Sequence, residues 1–479
     1  MNGSRRRTGG RKKRAGQVWR VAAFLAGCLA AASSVADDFA REARRYVQDA
    51  LARNLSLRGQ SVGVEQSAAA LDTARAHYLP ELSLNARYTR AAGGREIEFP
   101  IGQLLNPAYQ TLNQLLAAQG QPPRFPPIED QAFAFQRARE QDTRISLRQP
   151  LYEPAIPAAV SAQRALLSAD EYAKLAFARS LQRDVTTAYA AWLQARRVRD
   201  LLSAQAELLD ENLRVAESLR RNGRITQDQV LRARAERLAV VQQQQEALAR
   251  ESATRRYVNF LRNRPEDTAL QDLADDEVGD GAEDIGEDAG TVLRPELERI
   301  DRLQQAADAK VDFARSARKP KLALGIDAGT QGEQYRLGSG FNYLAASLVL
   351  TWKFFDGGAS RGEIDQARLV ARQLGTQREE AAARIGLEVA QARDAYAVAR
   401  SSLLTAIARD AAAAEALRIA GRQRDEGVLP QTSFLEIRTA RVAAADNLIA
   451  TRFALRARRA DLEFATGGGE LPPATEISP

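Results

Sequence analysis

Three stretches of this sequence recur in the same order with similar residues, which indicates a fold built from two similar halves. The pairs are residues 80–84 with 320–324, 145–153 with 348–356, and 213–223 with 417–427. The offset between the copies falls from 240 in the first pair to 203 in the second, so the first half carries extra residues between its first two stretches. This duplication predicts two internal repeats that contribute the same elements to one fold.

Each half contains a segment that is predicted to form a very long helix. Residues 158–222 contain no glycine or proline, and apolar residues such as Leu181, Val185 and Trp192 recur in them at helical spacing. At 1.5 Å per residue, such a helix is about 100 Å long. The other long runs without proline are 224–264, 321–429 and 431–471. Helices of this length are typical of extended coiled coils.

Two glycines predict the points at which the long helices reverse. After Gly223, Thr226 and Gln229 have the spacing of a capping box, in which the side chains bond the first N–H groups of a helix. After Gly427, Pro430 suits the first turn of a new helix, because its φ is already helical. Each glycine is therefore predicted to lie at the tip of a helical hairpin.

Four segments, two in each half, alternate apolar and polar residues as β-strands do. They lie at 80–89, 145–147, 322–328 and 344–354. About ten residues let a tilted strand cross a bilayer, and Tyr343, Trp352 and Phe354 lie where an aromatic girdle would contact the membrane surface. The alternative role of these aromatic side chains is packing between subunits. The alternative for the strands is a soluble sandwich, but four strands separated by long helices would leave bare edges.

Two further segments separate these elements. Six prolines around residues 95–132 exclude a continuous helix, so residues 92–132 are predicted to form a long loop. Residues 266–288 hold eleven acidic residues and no lysine or arginine. This composition predicts a solvated linker over 266–292. Calcium binding is the alternative, although the spacing fits no EF-hand loop.

The basic charge of the chain is concentrated in its first residues. The formal net charge is +7, but residues 1–36 hold eight arginines and lysines and no acid. The remainder is close to neutral, so no nucleic-acid partner is predicted.

The basic stretch, the apolar residues 21–32 and the small residues before Asp37 have the order of a secretory signal peptide, with cleavage after Ala36. As the alternative, the segment that ends at Cys28 resembles a lipobox, which would make Cys28 a lipidated first residue.

The chain is poor in residues that support catalysis or bind metals. His77 and Cys28 are its single histidine and its single cysteine. They leave no set for a zinc site, a Cys/His dyad or a Ser/His/Asp triad. No G-x-x-x-x-G-K-[ST] phosphate-binding motif occurs. We therefore expect no enzymatic activity, no cofactor and no resident metal. After the leader, no run of 18 apolar residues predicts a transmembrane helix.

In their order, these features resemble the TolC family of outer-membrane channel proteins over nearly the whole exported chain. The more specific marks are Trp352–Gly358 after the fourth strand, Arg294–Leu297 at the start of the second half, and residues 228–230 and 434–435 after the glycine tips. The resemblance implies an α+β membrane protein. Three chains of a homotrimer would give four strands each to a 12-stranded β-barrel, which is continued by a long α-helical barrel.

The same resemblance implies a location and a function. The protein would lie in the lipid of the cell outer membrane, with its helical barrel extending into the periplasm. It would be the exit duct of a tripartite efflux or type I secretion system. Substrates would pass through it passively from a periplasmic adaptor (membrane fusion) protein and an inner-membrane pump of the RND, ABC or MFS type. An exported coiled-coil or adhesin-like protein without channel activity is the alternative, but it leaves the paired strands unexplained.

Candidate gate residues follow from the resemblance at the tips. In the family, acidic side chains on the second tip ring the closed periplasmic entrance. Glu436 matches one such position and Ser433 the other, and Asp228 on the first tip is a further candidate. Arg424 and Leu429 match the tyrosine and arginine that latch the entrance in the family, so a latch of that kind is not expected here. The predicted adaptor contacts are Gly223, Gly427, Arg221, Thr226 and Pro430.

The predicted organisation has five parts. These are a signal peptide (1–36), a first repeat (37–265), the acidic linker (266–292), a second repeat (293–470) and a C-terminal tail (471–479).

Overall fold

The computed structural model describes residues 38–273, 294–468 and 471. The predicted signal peptide with Cys28, residues 274–292 of the predicted linker and residues 472–479 of the predicted tail lie outside the described residues. Within the described ranges, no helix is both long enough and apolar enough to cross a membrane.

Helices and strands follow one another in two similar series. The elements of the first series are α1 (Asp38–Arg53), α2 (Leu55–Ala76), β1 (Glu81–Arg90), β2 (Glu96–Phe99), α3 (Ile101–Ala118), β3 (Gln131–Ala134), β4 (Arg139–Tyr152), α4 (Ala155–Arg221) and α5 (Gln227–Leu261). Those of the second are α6 (Pro295–Ser316), β5 (Lys321–Gly332), β6 (Asn342–Thr351), α7 (Ala359–Asp425) and α8 (Gln431–Thr466). The helices α4 and α7 have 67 residues each.

The described chain folds into two compact units. The first comprises the residues up to 67, residues 166–303 and the residues from 373 onward, and we call it the helical unit. The second comprises residues 68–165 and 304–372, and we call it the sheet unit because both sheets lie in it.

The main sheet has four antiparallel strands in the order β1-β4-β5-β6. The register places like residues opposite one another, as in the pairs Leu84 with Ile145 and Leu324 with Leu348. Because side chains alternate along a strand, this register collects the leucines and isoleucines on one face and residues such as Asn85, Ser146 and Asp327 on the other. The two faces are called the apolar face and the polar face below.

Among the residues that the structure describes, none covers the apolar face of the sheet. Leu82 is 69% exposed, Leu84 70% and Leu348 65%. The two outer strands, β1 and β6, each have a strand partner on one side only. The sheet therefore presents a large apolar surface and two rows of unpaired backbone groups, which a protein in water would normally cover.

An aromatic cluster forms the core of the helical unit. Tyr189 and Trp192 of α4 are almost fully buried. The ring of Tyr189 stacks on Phe39 of α1 at 5.5 Å and meets the edge of Tyr46 at 4.9 Å. Large aromatic side chains bury much apolar area each, so this cluster joins α1 to the long helices.

The beginning of the predicted linker differs from the prediction. Leu270 and Leu273 are buried in the aromatic core, and Asp272 forms an ion pair with Arg196 at 2.7 Å. The backbone carbonyl of Gln271 accepts a hydrogen bond from one buried tyrosine hydroxyl, and its N–H donates to another. The prediction of a solvated linker is therefore wrong for residues 270–273, because Leu270 and Leu273 bury apolar area and an arginine of α4 neutralises Asp272.

The segment predicted as a long loop, 92–132, also contains regular structure. It holds the 18-residue helix α3, and β2 pairs with β3 in a small antiparallel sheet. Pro100 comes just before the helix and Pro107 lies inside it. The prediction of a loop over 92–132 is therefore wrong for these elements. A proline before a helix needs no hydrogen-bond partner, and one inside it removes a single bond without ending the helix.

A carboxylate on α1 joins that helix to the end of α5. Asp49 forms ion pairs with Arg262 at 2.9 Å and with Arg264 at 2.8 Å. The guanidinium of Arg262 also lies 4.2 Å from the ring centre of Tyr46. Burial by itself raises the pKa of Asp49, but the hydrogen bond from Arg264 and the charge of Arg262 outweigh this effect, so the pKa lies below its usual value. A carboxyl group with a lowered pKa stabilises the fold when it is ionised.

We predict that Asp49→Asn lowers the free energy of unfolding by about 3 kcal/mol at pH 7, because it leaves the buried Arg262 without its carboxylate. Asp72→Asn is the control, since Asp72 forms an exposed pair with Arg75 and should change stability by less than about 0.5 kcal/mol. The measurement is urea unfolding of the detergent-solubilised protein, followed by circular dichroism.

The pH dependence of this difference follows from the lowered pKa. The contribution of Asp49 is fully present above the unfolded pKa of about 4 and is lost as the pH falls through the lower folded pKa. The difference between wild type and Asp49→Asn should therefore shrink below about pH 4. An equal difference at pH 3 and pH 7 would contradict this explanation.

Candidate functional site

The first candidate site is the tip where α4 reverses into α5. Gly223 has φ +64°. Its N–H donates to the carbonyl of Arg220 at 3.0 Å, and the N–H of Arg224 donates to that of Leu219 at 2.9 Å. This is the Schellman pattern, which needs a residue in the left-handed region and therefore favours glycine.

The tip between α7 and α8 has the same geometry. Gly427 has φ +76°, its N–H donates to the carbonyl of Arg424 at 2.9 Å, and the N–H of Val428 donates to that of Gln423 at 2.8 Å. Pro430 comes directly before α8, and its carbonyl accepts the N–H of Phe434 at 3.2 Å. Both glycines thus end a 67-residue helix with the same pair of hydrogen bonds.

The two return helices begin differently. Thr226 occupies the position before α5 with extended backbone angles, but its side chain forms no capping hydrogen bond. The predicted capping box of Thr226 and Gln229 is therefore wrong. A hydrogen bond from Thr226 instead lowers the pKa of the exposed Asp228 carboxyl group, in the second position of the helix. A negative charge is favourable there, because the first turn of a helix carries a partial positive charge.

The predicted gate residues of the second tip lie on one face of α8. Ser433 is half-buried and Glu436, three residues later, is exposed. Phe434 between them is buried, and the guanidinium of Arg424 lies 4.4 Å from the centre of its ring. Asp228 belongs to the other hairpin, on α5, and Arg221 is exposed at the end of α4. The tip thus holds Phe434 inward and leaves the Glu436 carboxylate free to face solvent.

A charged residue next to this site was not predicted from the sequence. Arg438 is buried, one turn after Phe434, and its guanidinium lies 3.7 Å from the carboxylate of Glu236 on α5. Burial lowers the pKa of Arg438, and Nη1 is buried without a hydrogen-bond partner. The available signal was its position, four residues after Phe434 on the face that packs inward. Arg438 places a buried positive charge between the two hairpins.

Arg438 lies at the edge of a cavity of about 520 Å³ between α4, α5 and α8. The side chains of Glu246, Arg250 and Asp446 also line this cavity, together with apolar residues of α4. Both signs of charge are present. Within the described ranges no group of three or more His, Cys, Asp or Glu could hold a metal ion.

The sheet unit corrects one of the predicted girdle residues. Tyr343 pairs with Gly329 on the polar face, and its hydroxyl donates to Asp142 at 3.2 Å. Its prediction as a membrane anchor is wrong, because the odd-numbered positions of β6 point to the polar face. Phe354 is 86% exposed, and Trp352 is exposed with its Nε1 donating to the carbonyl of Arg318 at 3.1 Å. Tyr88, at the far end of the apolar face, is an exposed aromatic residue that was not among the predicted girdle residues.

The segments that carried the family resemblance have structural roles. Asp356 accepts hydrogen bonds from the N–H groups of Gly358 at 3.1 Å and Ser360 at 3.0 Å, which holds the start of α7. Hydrogen bonds from Ser360 lower the pKa of the Asp356 carboxyl group. Arg294 pairs with Glu296 and Glu388, both at 2.7 Å, at the start of the second half. These residues hold helix ends in place.

Comparisons with known proteins agree with this geometry. Residues 292–468 match the sequence family described as outer membrane efflux protein. The comparison with curated protein sequences gives no match.

Several solved structures share the fold over most of the chain. The CmeC outer membrane channel of Campylobacter jejuni has a TM-score of 0.73 and 18% identity, and the match covers 90% of this chain and 87% of that chain. The outer membrane protein VceC of Vibrio cholerae has a TM-score of 0.70 and 16% identity, with coverages of 90% and 97%. The open state of the MtrE outer membrane channel of Neisseria gonorrhoeae has a TM-score of 0.69 and 19% identity, with coverages of 89% and 89%.

We predict that Gly427→Ala destabilises the second tip by about 1 to 2 kcal/mol, because alanine is strained at the positive φ of this glycine. Gly421→Ala is the matched control. Gly421 lies six residues earlier inside α7 with open space around its Cα, so alanine should stabilise the helix by up to about 1 kcal/mol.

The measurement is hydrogen exchange of the backbone amides around residues 418–434, read by mass spectrometry. Exchange should be faster in Gly427→Ala and slower or unchanged in Gly421→Ala. Equal exchange rates in the two variants would contradict a strained tip.

Proposed function

We propose that this protein is an outer-membrane exit duct, because residues 292–468 match the outer membrane efflux protein family and the described chain shares the fold of solved outer-membrane channels. It serves a tripartite efflux or type I secretion system and conducts substrates passively out of the cell. The observation that carries this proposal is the four-stranded sheet, which has one exposed apolar face, one polar face and two open edges.

Three copies of the chain solve the problem that this sheet poses. Unpaired backbone groups are not tolerated in a bilayer, so a sheet that enters one must close on itself. In the proposed homotrimer, β1 of each copy pairs with β6 of the next, and a 12-stranded barrel results. The apolar face then contacts outer-membrane lipid, with Trp352 and Phe354 near the membrane surface. The polar face lines the lumen, where Tyr343 and Asp142 form their hydrogen bond.

The helical hairpins of the three copies form the proposed helical barrel in the periplasm. Its entrance is built from the two tips, whose backbone turns are the same. We assign the contacts with a periplasmic adaptor protein to Gly223, Gly427, Arg221, Thr226 and Pro430. The energy for transport comes from an inner-membrane pump of the RND, ABC or MFS type, because the duct conducts passively.

The entrance is where charge selects among substrates. In the proposed trimer, three copies of Glu436 line the constriction, with Ser433 beside each copy and Asp228 on the neighbouring hairpins. A ring of carboxylates favours cations. The exposed position of Glu436 and the ionised state favoured at Asp228 support this assignment.

The decisive experiment is purification from isolated outer membranes after cross-linking in living cells. We expect a native mass about three times that of the mature chain, together with a cross-linked adaptor and pump. A detergent-independent monomer without partners would contradict the duct and return the coiled-coil alternative.

We predict that Glu436→Gln lowers the preference of the channel for cations over anions by at least about twofold, because it removes three negative charges from one ring. Glu379→Gln is the matched control, since Glu379 is an exposed acid on α7 of the same hairpin, 46 residues before that helix ends. Reversal potentials of single channels in planar bilayers under a salt gradient measure the preference. Equal shifts in the two variants would exclude Glu436 from the constriction.

A further inference from the structure

The helix α3 in the insertion between β1 and β4 contains no charged residue. Its 18 residues, Ile101–Ala118, include no Asp, Glu, Lys, Arg or His. Charged residues make up 27% of the whole chain. A helix this long without charge needs partners for its apolar side chains, because an uncharged exposed helix is poorly soluble.

One face of α3 has its partner within the insertion. The side chain of Asn106 donates to and accepts from the backbone of Ile128, both at 2.8 Å. The side chain of Asn113 forms the same pair with Phe125, at 2.6 and 3.1 Å. At Gly102 an added Cβ would lie 2.2 Å from the carbonyl oxygen of Ile128. The two asparagines thus hold the segment around residues 125–128 against one face of α3. The opposite face of the helix is left without this contact.

The opposite face of α3 is a stripe of aliphatic side chains. Its residues are Ile101, Leu104, Leu105, Leu112 and Leu115. At 100° per residue they fall within about 100° of the helix circumference, which is the width of a face that packs against another element. Leu104 is 79% exposed and Leu115 58%. This surface is called the leucine stripe below, and no other part of the described chain covers it.

The position of the insertion in the sheet indicates what covers the leucine stripe. The insertion leaves the sheet after Arg90, at the end of the edge strand β1. In the proposed trimer, the free side of β1 pairs with β6 of the next copy. The last residue of β1, Arg90, pairs with the first residue of β4, Arg139. At the same end of the sheet, β6 begins at Asn342, which pairs with Thr330 of β5. The turn between β5 and β6 of the next copy therefore lies beside the insertion.

We propose that the leucine stripe of α3 packs against the neighbouring copy of this chain, at the turn between β5 and β6. That turn exposes its own apolar side chains, since Leu337 is 84% exposed and Tyr335 68%. This inference rests on the proposed function, because it needs the trimer. Its consequence is that the insertion clamps the seam between subunits outside the strand pairing itself.

The lack of charge on α3 favours a neighbouring copy of the chain over lipid as the partner of the leucine stripe. Helices that lie on a membrane surface carry lysines and arginines on their polar face, which contact anionic headgroups. The exposed polar residues of α3 are instead neutral, as at Gln103, Gln110 and Gln114. The cores of protein interfaces are depleted of charge in the same way.

The test is photo-crosslinking in living cells with the full chain. The variant Leu112→p-benzoylphenylalanine places a photoreactive group on the leucine stripe, and Leu115→p-benzoylphenylalanine provides an independent second position. Gln110→p-benzoylphenylalanine is the matched control, because Gln110 is exposed on the polar side of the same helix. We expect irradiation to link chains at positions 112 and 115 and at most weakly at position 110. Mass spectrometry of the linked peptides should identify residues 333–341 of the neighbouring copy.

Other products would overturn the inference. Adducts with lipopolysaccharide, adducts with another protein, or single unlinked chains at both leucine positions would each contradict it. The native mass of the same sample is measured beforehand. A monomer there would contradict the proposed function itself, whereas a trimer without links between chains would contradict only the inference about the stripe.

A second measurement reads the contribution of the stripe to assembly. Leu104→Gln, Leu112→Gln and Leu115→Gln together should lower the temperature at which the trimer dissociates in detergent. The matched set Gln103→Ala, Gln110→Ala and Gln114→Ala should leave it unchanged. Equal dissociation temperatures in the two sets would show that the leucines carry no subunit contact.

Discussion

The unpaired backbone at the two edges of the four-stranded sheet is the constraint on which the rest of the structure depends. Antiparallel pairing satisfies β4 and β5 on both sides, but β1 and β6 keep one row of N–H and C=O groups each without a strand partner. A single chain has no further strand of that length to offer within the described residues. The apolar face of the same sheet is also exposed, so both features require an environment beyond one chain. A closed barrel in lipid satisfies them together, which is why assembly and membrane insertion belong to a single proposal.

Both helical hairpins depend on the same local feature, a glycine with a positive φ at the end of the long helix. Each 67-residue helix has no internal signal strong enough to end it until a glycine adopts a positive φ, where two hydrogen bonds complete the reversal. The backbone of the two tips is therefore equivalent, while the side chains that follow are not. Thr226 and Asp228 begin one return helix, and Pro430 and Glu436 lie at the start of the other. The shared backbone provides the hairpin, and the different side chains provide the chemistry of the proposed entrance.

Local patterns in the sequence predicted the elements that local physics determines. Strand alternation located the four main strands, and the absence of proline and glycine located α4 and α5. The errors concern interactions between distant residues. The many acidic residues after residue 265 predicted a solvated segment, although Leu270 and Leu273 pack into a core formed by α1 and α4. The number of prolines predicted a loop where α3 lies. The chain that follows this helix is held against it by the side chains of Asn106 and Asn113. Tyr343 was assigned to lipid by residue type, whereas the strand register puts it on the polar face.

The insertion is also where the two halves stop being equivalent. If the two halves had equal length, the connection between β1 and β4 would match the connection between β5 and β6. The boundary between two copies of the chain would then differ little from the boundary between the two halves of one copy. The first half instead carries β2, α3 and β3 between its two main strands, and the second half has a short turn there. In the proposed trimer, the long connection of one copy and the short turn of the next meet at each subunit seam. A duplicated fold can thus acquire a distinct subunit contact by lengthening one connection, without changing the strands that form the barrel.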